Sequence, residues 1–365
     1  MHSPEAATLW VHWGRNGAGP KFLYETVKAD CATNSAFISF NPDSEISEQL
    51  EALPVSQFSV PTYNSKLGVI TGIPRLLANM YRLRKWIQDN HIKRVVSTME
   101  SIYQSIAIPL LLPRDVEYVS CIHDGQSHPG EGHILQEFGR HLELGRADFI
   151  VTFSDAVTKI LQNNVRQRIL VEDHPPFDAD IPVSEARTLP TVPVVGFFGR
   201  LQKYKGLDLL LESARILRES GLEFELEIVG HGEEAVLQET EAGKQASWDA
   251  RWIPESEISH IISRFDVMVF PYIEASQSGP VTLALSHAIP CVSTPVGAIP
   301  SQVAGFGLVS AEVTAESFAE ELRKLISDAP LYRELSQSAL ELKHSKFSWN
   351  DLARNIRSHE SISSE

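Results

Sequence analysis

The sequence predicts an α/β protein built of two open, parallel-sheet domains in tandem. Three observations carry this expectation. Short apolar runs alternate with stretches whose apolar residues recur at helical spacing, which is the pattern of βαβ units. A proline-rich break at residues 172–193 interrupts the alternation with Pro175, Pro176, Pro182, Pro190 and Pro193. The alternation then restarts at Val194. A chain of 365 residues suits two domains at roughly 100–200 residues each.

In the first half, Thr8–Val11 reads as a strand, followed by a Gly-rich turn and a helix over Lys21–Lys28. Ala36–Phe40 is a second strand, and the polar, broken stretch 41–66 is expected to be a long loop with little regular structure. Ile73–Asn90 carries Leu76, Leu77, Met80, Tyr81, Leu83 and Ile87 at helical spacing. Strands follow at Arg94–Thr98, Glu117–Ile122 and Phe149–Phe153, with helices at Ser101–Leu112 and Ile134–Leu144 between them. Ser154 and Asp155 are N-cap candidates for a helix over Ala156–Gln162. In the second half, strands are expected at Val194–Phe198, Phe224–Val229, Val267–Phe270 and Cys291–Ser293. Helices are expected at Leu207–Glu219, Ser256–Ser263, Pro280–His287, Ala315–Ser327 and Leu331–Lys343, with an amphipathic tail from Trp349 to Ile362.

Composition narrows the function. The net charge of −15 argues against a nucleic-acid partner. It is unevenly spread: residues 1–171 hold 16 Lys and Arg against 17 Asp and Glu, whereas 172–365 hold 16 against 30. No apolar run approaches the ~18–20 residues of a membrane span, and the N-terminal residues lack a secretory pattern. Cys31, Cys121 and Cys291 lie far apart beside apolar stretches. That fits reduced, buried thiols in a cytosolic protein, with neither a disulfide framework nor a zinc site.

In open α/β sheets ligands bind beyond the carboxyl ends of the strands, so chemistry is sought just after each one. After Val194–Phe198 come Gly199, Arg200 and, before the next helix, Lys205. Two cations at a strand end beside a helix N-terminus suit a diphosphate; a solvated turn is the alternative. After Val267–Phe270, the small polar run Ser276, Gln277, Ser278, Gly279 can turn N–H groups toward an anion, and Pro280 suits a first helical turn. An ordinary N-cap turn would look the same. Gly230, Gly232 and Glu233 follow a third strand, a weak signal by itself. Residues 123–133 hold His123, Asp124, His128, Glu131 and His133 in no standard metal spacing, and His123 reads as a polar site residue. Gly14, Gly17 and Gly19 form a flexible turn after the first strand that fails the P-loop pattern. The helix near Ile73 carries Arg75, Arg82, Arg84 and Lys85, with Lys93 and Arg94 beyond it. This is either a solvated face or a surface for an anionic membrane.

Taken in order, these motifs resemble the GT-B glycosyltransferases, family 4 of the retaining enzymes. The likeness is strongest from Val194 to Val303: Phe198-Gly-Arg-Leu with Lys205-Gly206, then Ile228-Val-Gly-His-Gly-Glu, Asp266-Val-Met-Val-Phe-Pro-Tyr, Ser276-Gln-Ser-Gly, and Pro290-Cys-Val-Ser-Thr-Pro-Val-Gly297. The resemblance implies two Rossmann-like domains facing each other across a cleft. Domain bounds are 1–175 for the acceptor side, 176–193 for a linker and 194–345 for the nucleotide-sugar side, with 346–365 a helix crossing back to the first domain.

It also implies a retaining transfer of a hexose from a nucleotide sugar to a glycan or lipid-linked acceptor, without a metal or other cofactor. The setting would be cytoplasmic, with peripheral membrane contact through the Arg75–Arg94 segment. His123, Arg200, Lys205 and Glu274 would be catalytic. Gly17, Gly19, Gly199, Gly232, Glu233, Ser276, Gln277, Ser278 and Gly279 would bind the donor. The family's usual Glu-x7-Glu pair aligns here with Ala275 and Leu283, and Glu274 stands one residue from the first of these. Other GT-B chemistry, such as a phosphorylase or epimerase, and a non-catalytic homologue that only binds are the alternatives.

Overall fold

Nine strands buried in the middle of two sheets set the architecture, and each sheet is wholly parallel. The computed structural model describes residues 6–33, 35–62, 73–124, 134–177, 182–275, 277–345 and 348–358. The chain forms two units, Met1–Pro175 with Phe347–Glu365, and Pro176–Lys346.

Unit 1 carries a seven-stranded sheet of order β3-β2-β1-β4-β5-β6-β7. Its strands are β1 (Thr8–His12), β2 (Ala36–Phe40), β3 (Ser56–Ser59), β4 (Arg94–Ser97), β5 (Glu117–Ile122), β6 (Phe149–Thr152) and β7 (Arg168–Val171). β1 is buried along its whole length, as a strand covered on both faces must be. The helices are α1 (Ala18–Asp30), α2 (Ser47–Glu51), α3 (Ile73–Asp89), α4 (Ile102–Leu111), α5 (Ile134–Arg146) and α6 (Asp155–Gln162). Ser154 caps α6, its hydroxyl accepting from the Val157 N–H at 3.2 Å.

The stretch 41–66 departs from expectation. Instead of a loop without regular structure, it contains α2 and the edge strand β3, which pairs with β2 from Phe37↔Ser56 onward. β3 exposes Ser56 and Ser59 and so lacks the apolar signal of a central strand.

Unit 2 carries a six-stranded sheet of order β10-β9-β8-β11-β12-β13. It comprises β8 (Val194–Phe198), β9 (Glu225–Val229), β10 (Ser247–Asp249), β11 (Val267–Phe270), β12 (Cys291–Ser293) and β13 (Gly307–Val309). Its helices are α7 (Leu207–Glu219), α8 (Glu255–Ser263), α9 (Gly279–Ser286), α10 (Ile299–Gln302), α11 (Ala315–Ser327) and α12 (Ala329–Ser345). Residues 176–193, expected as a linker, fall within this unit. Arg187 straps down two chain segments, donating to the carbonyls of Ser263 at 3.2 Å and Phe265 at 2.6 Å at the end of α8 and of His287 at 3.0 Å after α9.

The last helix, α13 (Trp349–Ser358), packs on α1 in unit 1. Phe22 of α1 meets Trp349 edge-on at 5.0 Å. Arg357 grips both oxygens of the buried Asp30 carboxylate, which also accepts from Trp10 Nε1. Arg94 in turn donates to the carbonyls of Ile356 and Arg357 at the helix end. Cys121 and Cys291 are buried thiols raised by burial, whereas Cys31, expected buried, is partly exposed.

Candidate functional site

In unit 2 the chain leaves β8 toward β9 and β10 on one side, and runs from β11 to β12 and β13 on the other. The carboxyl ends of β8 and β11 therefore flank the switch point, where such sheets take ligands. The segments expected to carry chemistry are the two loops that emerge there.

Backbone contacts join them. Tyr204 O accepts from the N–H groups of Ile273 at 2.9 Å and Glu274 at 3.4 Å. Gly206 lies so close that a Cβ on it would sit 1.9 Å from Pro271 O, and its φ of +69° is left-handed, so glycine is required twice over. The loop after β9 is laced on as well, through Leu201 N–H to His231 O and Glu234 N–H to Leu201 O, both at 2.9 Å. That brings Gly232 against the backbone of Leu201, with the exposed Glu233 next to it. Gly230 allows the approach, since a Cβ there would lie 1.7 Å from Gly199 O.

Arg200 and Lys205 meet around one tyrosine. Arg200 Nη2 donates to Tyr204 Oη at 3.0 Å, and Lys205 Nζ lies 5.0 Å from the centroid of the same ring. Arg200 is exposed, while Lys205 is only 7% exposed. The Lys205 ammonium sits 3.8 Å from the centroid of Tyr272, a cation–π contact worth about 2 kcal/mol when desolvated. The Tyr272 hydroxyl shares a hydrogen bond of 2.9 Å with Ser278 Oγ, at the N-cap of α9. Burial raises the Tyr272 phenol, so it stays protonated.

Ser278 was expected to offer its N–H to a phosphate. That N–H instead donates to Gln302 Oε1 at 2.8 Å, while Gln302 Nε2 reaches Ser278 O at 3.4 Å. Of the group assigned to this anion-facing turn, Ser278 is the N-cap residue of α9 with its hydroxyl on Tyr272, and Gly279 takes the first position of the helix. Gln277 is half-buried beside them, Ser276 lies outside the described residues, and Glu274 is exposed next to the Tyr204 turn. Leu283 is buried apolar surface within α9.

Unit 1 has its own switch point, between β1 and β4. His12 ends β1, is 4% exposed, and directs Nδ1 at Met99 O across 3.1 Å. A carbonyl only accepts, so Nδ1 carries the proton. A Cβ at Gly14 or Gly19 would fall 2.3 or 2.2 Å from His12 Nε2, so both glycines make room for this ring. The Gly17 N–H donates to Glu45 Oε1 at 2.6 Å, which places a carboxylate at the start of α1. Gly17 and Gly19, assigned to the donor from sequence, thus serve a carboxylate and an imidazole of unit 1 in this structure.

His123 follows β5, stacks on Phe153 at 4.4 Å and donates Nε2–H to Thr98 O at 2.9 Å. Burial, with His174 nearby, lowers it to about 3. Residues 125–133, with His128, Glu131 and His133, lie outside the described residues. Among the described residues no group of three His, Cys, Asp or Glu side chains could hold a metal.

Four residues that shape these sites were not among the site residues expected from sequence: Tyr204, Tyr272 and Gln302 in unit 2, and His12 in unit 1. The tyrosines and the histidine sit at strand ends or loop turns, where an aromatic residue reads as core.

Two parallel Rossmann-like sheets in one chain, each with its loops at a switch point, make this a GT-B structure. Residues 192–328 match the family model described as glycosyl transferases group 1. It is 24% identical over 150 residues to the 2-deoxystreptamine glucosyltransferase of Streptomyces kanamyceticus, a match spanning 39% of each chain. HepE from Anabaena, solved with UDP-glucose, superposes with a TM-score of 0.73 at 14% identity, over 97% of this chain and 99% of that one. WaaG, a glycosyltransferase involved in lipopolysaccharide biosynthesis, gives 0.64 at 12% identity, over 97% and 100%.

Proposed function

We propose that the chain is a retaining glycosyltransferase that moves a hexose from a uridine diphosphate sugar to a glycan or lipid-linked saccharide in cell-surface polysaccharide synthesis. The observation that carries the reading is the buried Lys205 ammonium, paired with Arg200 around Tyr204 at the switch point of unit 2 and linked through Tyr272 to the start of α9. Such an arrangement suits a diphosphate leaving group, whose growing charge the two cations neutralise and whose distal phosphate lies at α9. Glu274 is the candidate carboxylate for the donor sugar. The UDP-glucose held by HepE supports the uridine nucleotide, and the roles of WaaG and the glucosyltransferase relative support the saccharide acceptor.

The working place is the cytoplasmic face of a membrane. No helix among the described residues is long and apolar enough to cross one. Yet α3 exposes 59% of Leu77 and 74% of Tyr81, one turn apart, on the helix that carries Arg75, Arg82, Arg84 and Lys85. Apolar side chains among cations suit an interface with anionic lipid.

The test is a thermal-shift panel of UDP, UDP-glucose, GDP and GDP-mannose. A ligand of the folded state at 100 times its Kd stabilises by about 2.7 kcal/mol. A melting temperature unmoved by all four would remove the donor. A second reading, a GT-B homologue that binds without turnover, is favoured by Ala275 and the buried Leu283 at the aligned carboxylate positions. Hydrolysis of a bound donor by the wild type, reduced in Arg200→Ala, would exclude it.

A further inference from the structure

Two features of the unit 2 site meet on one side chain. The Tyr272 ring is fully buried, with the Lys205 ammonium 3.8 Å from its centroid. Its hydroxyl is 2.9 Å from Ser278 Oγ, the N-cap residue of α9. Tyr272 is itself fixed: Thr294 Oγ1 donates to its carbonyl, and Phe270 meets its ring edge-on at 5.9 Å. Ser278 is held from the other side by Gln302, which engages both its N–H and its carbonyl. The N-cap residue is therefore restrained at backbone and side chain together, while the same tyrosine restrains the cation across the switch point.

We propose that Tyr272 is a positioning residue that joins the Lys205 ammonium to the start of α9, so that cation and helix terminus meet a bound diphosphate as one preformed unit, with Gln302 as the clamp that fixes Ser278 for it. This deepens the reading proposed above and rests on it.

The physical basis is preorganisation. Electrostatic groups stabilise charge best when they need no reorganisation as it appears. A lysine stem has several rotamers, and the flat face of a buried ring restricts them. A serine hydroxyl rotates unless a partner holds it. Tyr272 restricts both with one rigid ring whose hydroxyl and face point to different partners. The effect belongs to the second phosphate, because a nucleoside monophosphate does not span both the cation and the helix start.

The test compares affinities for UDP and UMP, and for GDP and GMP, by calorimetry on the full chain. Tyr272→Phe keeps the ring under Lys205 and removes the hydroxyl. The expected result is a three- to tenfold fall in the diphosphate-to-monophosphate affinity ratio, about the worth of one hydrogen bond, with monophosphate affinity and melting temperature held. Gln302→Leu should lower the same ratio, and the double variant should lose less than the two single losses combined, because both act through Ser278. Equal weakening of mono- and diphosphate in Tyr272→Phe, or an unchanged ratio, would overturn the proposal. If Tyr272→Phe melts early, Gln302→Leu decides by the same ratio. Wild type that prefers neither diphosphate over its monophosphate would defeat the underlying donor reading instead.

Discussion

Stability of this protein should peak near pH 6.5, because five buried groups of unit 1 pull in opposite directions on either side of it. Burial lowers His12 and His174 from 6.5 to about 4, and His123 to about 3. Burial raises Glu143 from 4.5 to about 8, helped by the charge of Glu100, and Glu172 to about 7.

The imidazoles bind protons more readily unfolded, so their contribution is complete above 6.5 and is lost as pH falls toward 4. The carboxyls bind protons more readily folded, so theirs is complete below 4.5 and is lost as pH rises through 7 and 8. Between pH 4.5 and 6.5 the unfolded chain holds three protons on the histidines, and the folded chain two on the carboxyls. The net difference of one makes stability rise by about 1.4 kcal/mol per pH unit. Above 6.5 the sign reverses, at about 2.7 kcal/mol per unit to pH 7 and about 1.4 from there to 8. Below 4.5 the unfolded excess reaches three protons, and stability falls at about 4 kcal/mol per unit.

Urea unfolding followed by tryptophan fluorescence at half-unit steps from pH 4 to 8.5 reads both limbs. Glu143→Gln, which keeps an acceptor for the Ser97 and Tyr118 hydroxyls, should flatten the alkaline limb and steepen the rise between pH 4.5 and 6.5 to about 2.7 kcal/mol per unit, because the folded chain then holds one carboxyl proton fewer. Stability that is level or rising from pH 6.5 down to 4.5 would refute the account of the histidines as buried neutral rings.

Three further outcomes are expected. Lys205→Met keeps the stem on Tyr272 and removes the charge. It should lower donor turnover by about 10²–10³-fold with little change in melting temperature, and turnover within threefold of wild type would count against the leaving-group role. Arg357→Ala leaves the buried Asp30 without its cation and should cost about 3–5 kcal/mol in urea unfolding; an unchanged midpoint would show that α13 is held by packing alone. Sedimentation with anionic vesicles should weaken with salt and on Arg82→Gln/Arg84→Gln/Lys85→Gln, at about 1 kcal/mol per charge removed; salt-independent or absent binding would argue for a solvated α3 face.

The strands legible in the sequence divide cleanly from those that were not. All nine central strands were readable, among them β1, β5 and β11. The four unread strands, β3, β7, β10 and β13, are the four edges of the two sheets. An edge strand pairs on one side only, and these four are short and partly exposed, as in Ser56-Gln-Phe-Ser59 and Ser247-Trp-Asp249. β3 and β10 carry little apolar signal, and β7 and β13, though mostly apolar, offer only three or four residues. The candidate site shows the same division. Arg200 and Lys205 were legible because charge interrupts an apolar strand end before a helix. The roles of Tyr272 and Gln302 were not, since the Lys205 ammonium under the ring and the Ser278 N–H held by Gln302 come from other segments of the chain.

The sequence by itself determined two parallel α/β units and which strand ends carry cations or small polar turns. These follow from local periodicity and from the cost of placing charge and glycine inside a strand. Tertiary structure alone decided that Lys205 rests on Tyr272, that Gln302 occupies the Ser278 N–H, and that His12 lies against Gly14 and Gly19. The first two contacts depend on strand order, which brings residues tens of positions apart within a few ångströms, and the third depends on how the chain turns after β1; a one-dimensional pattern holds no such distances.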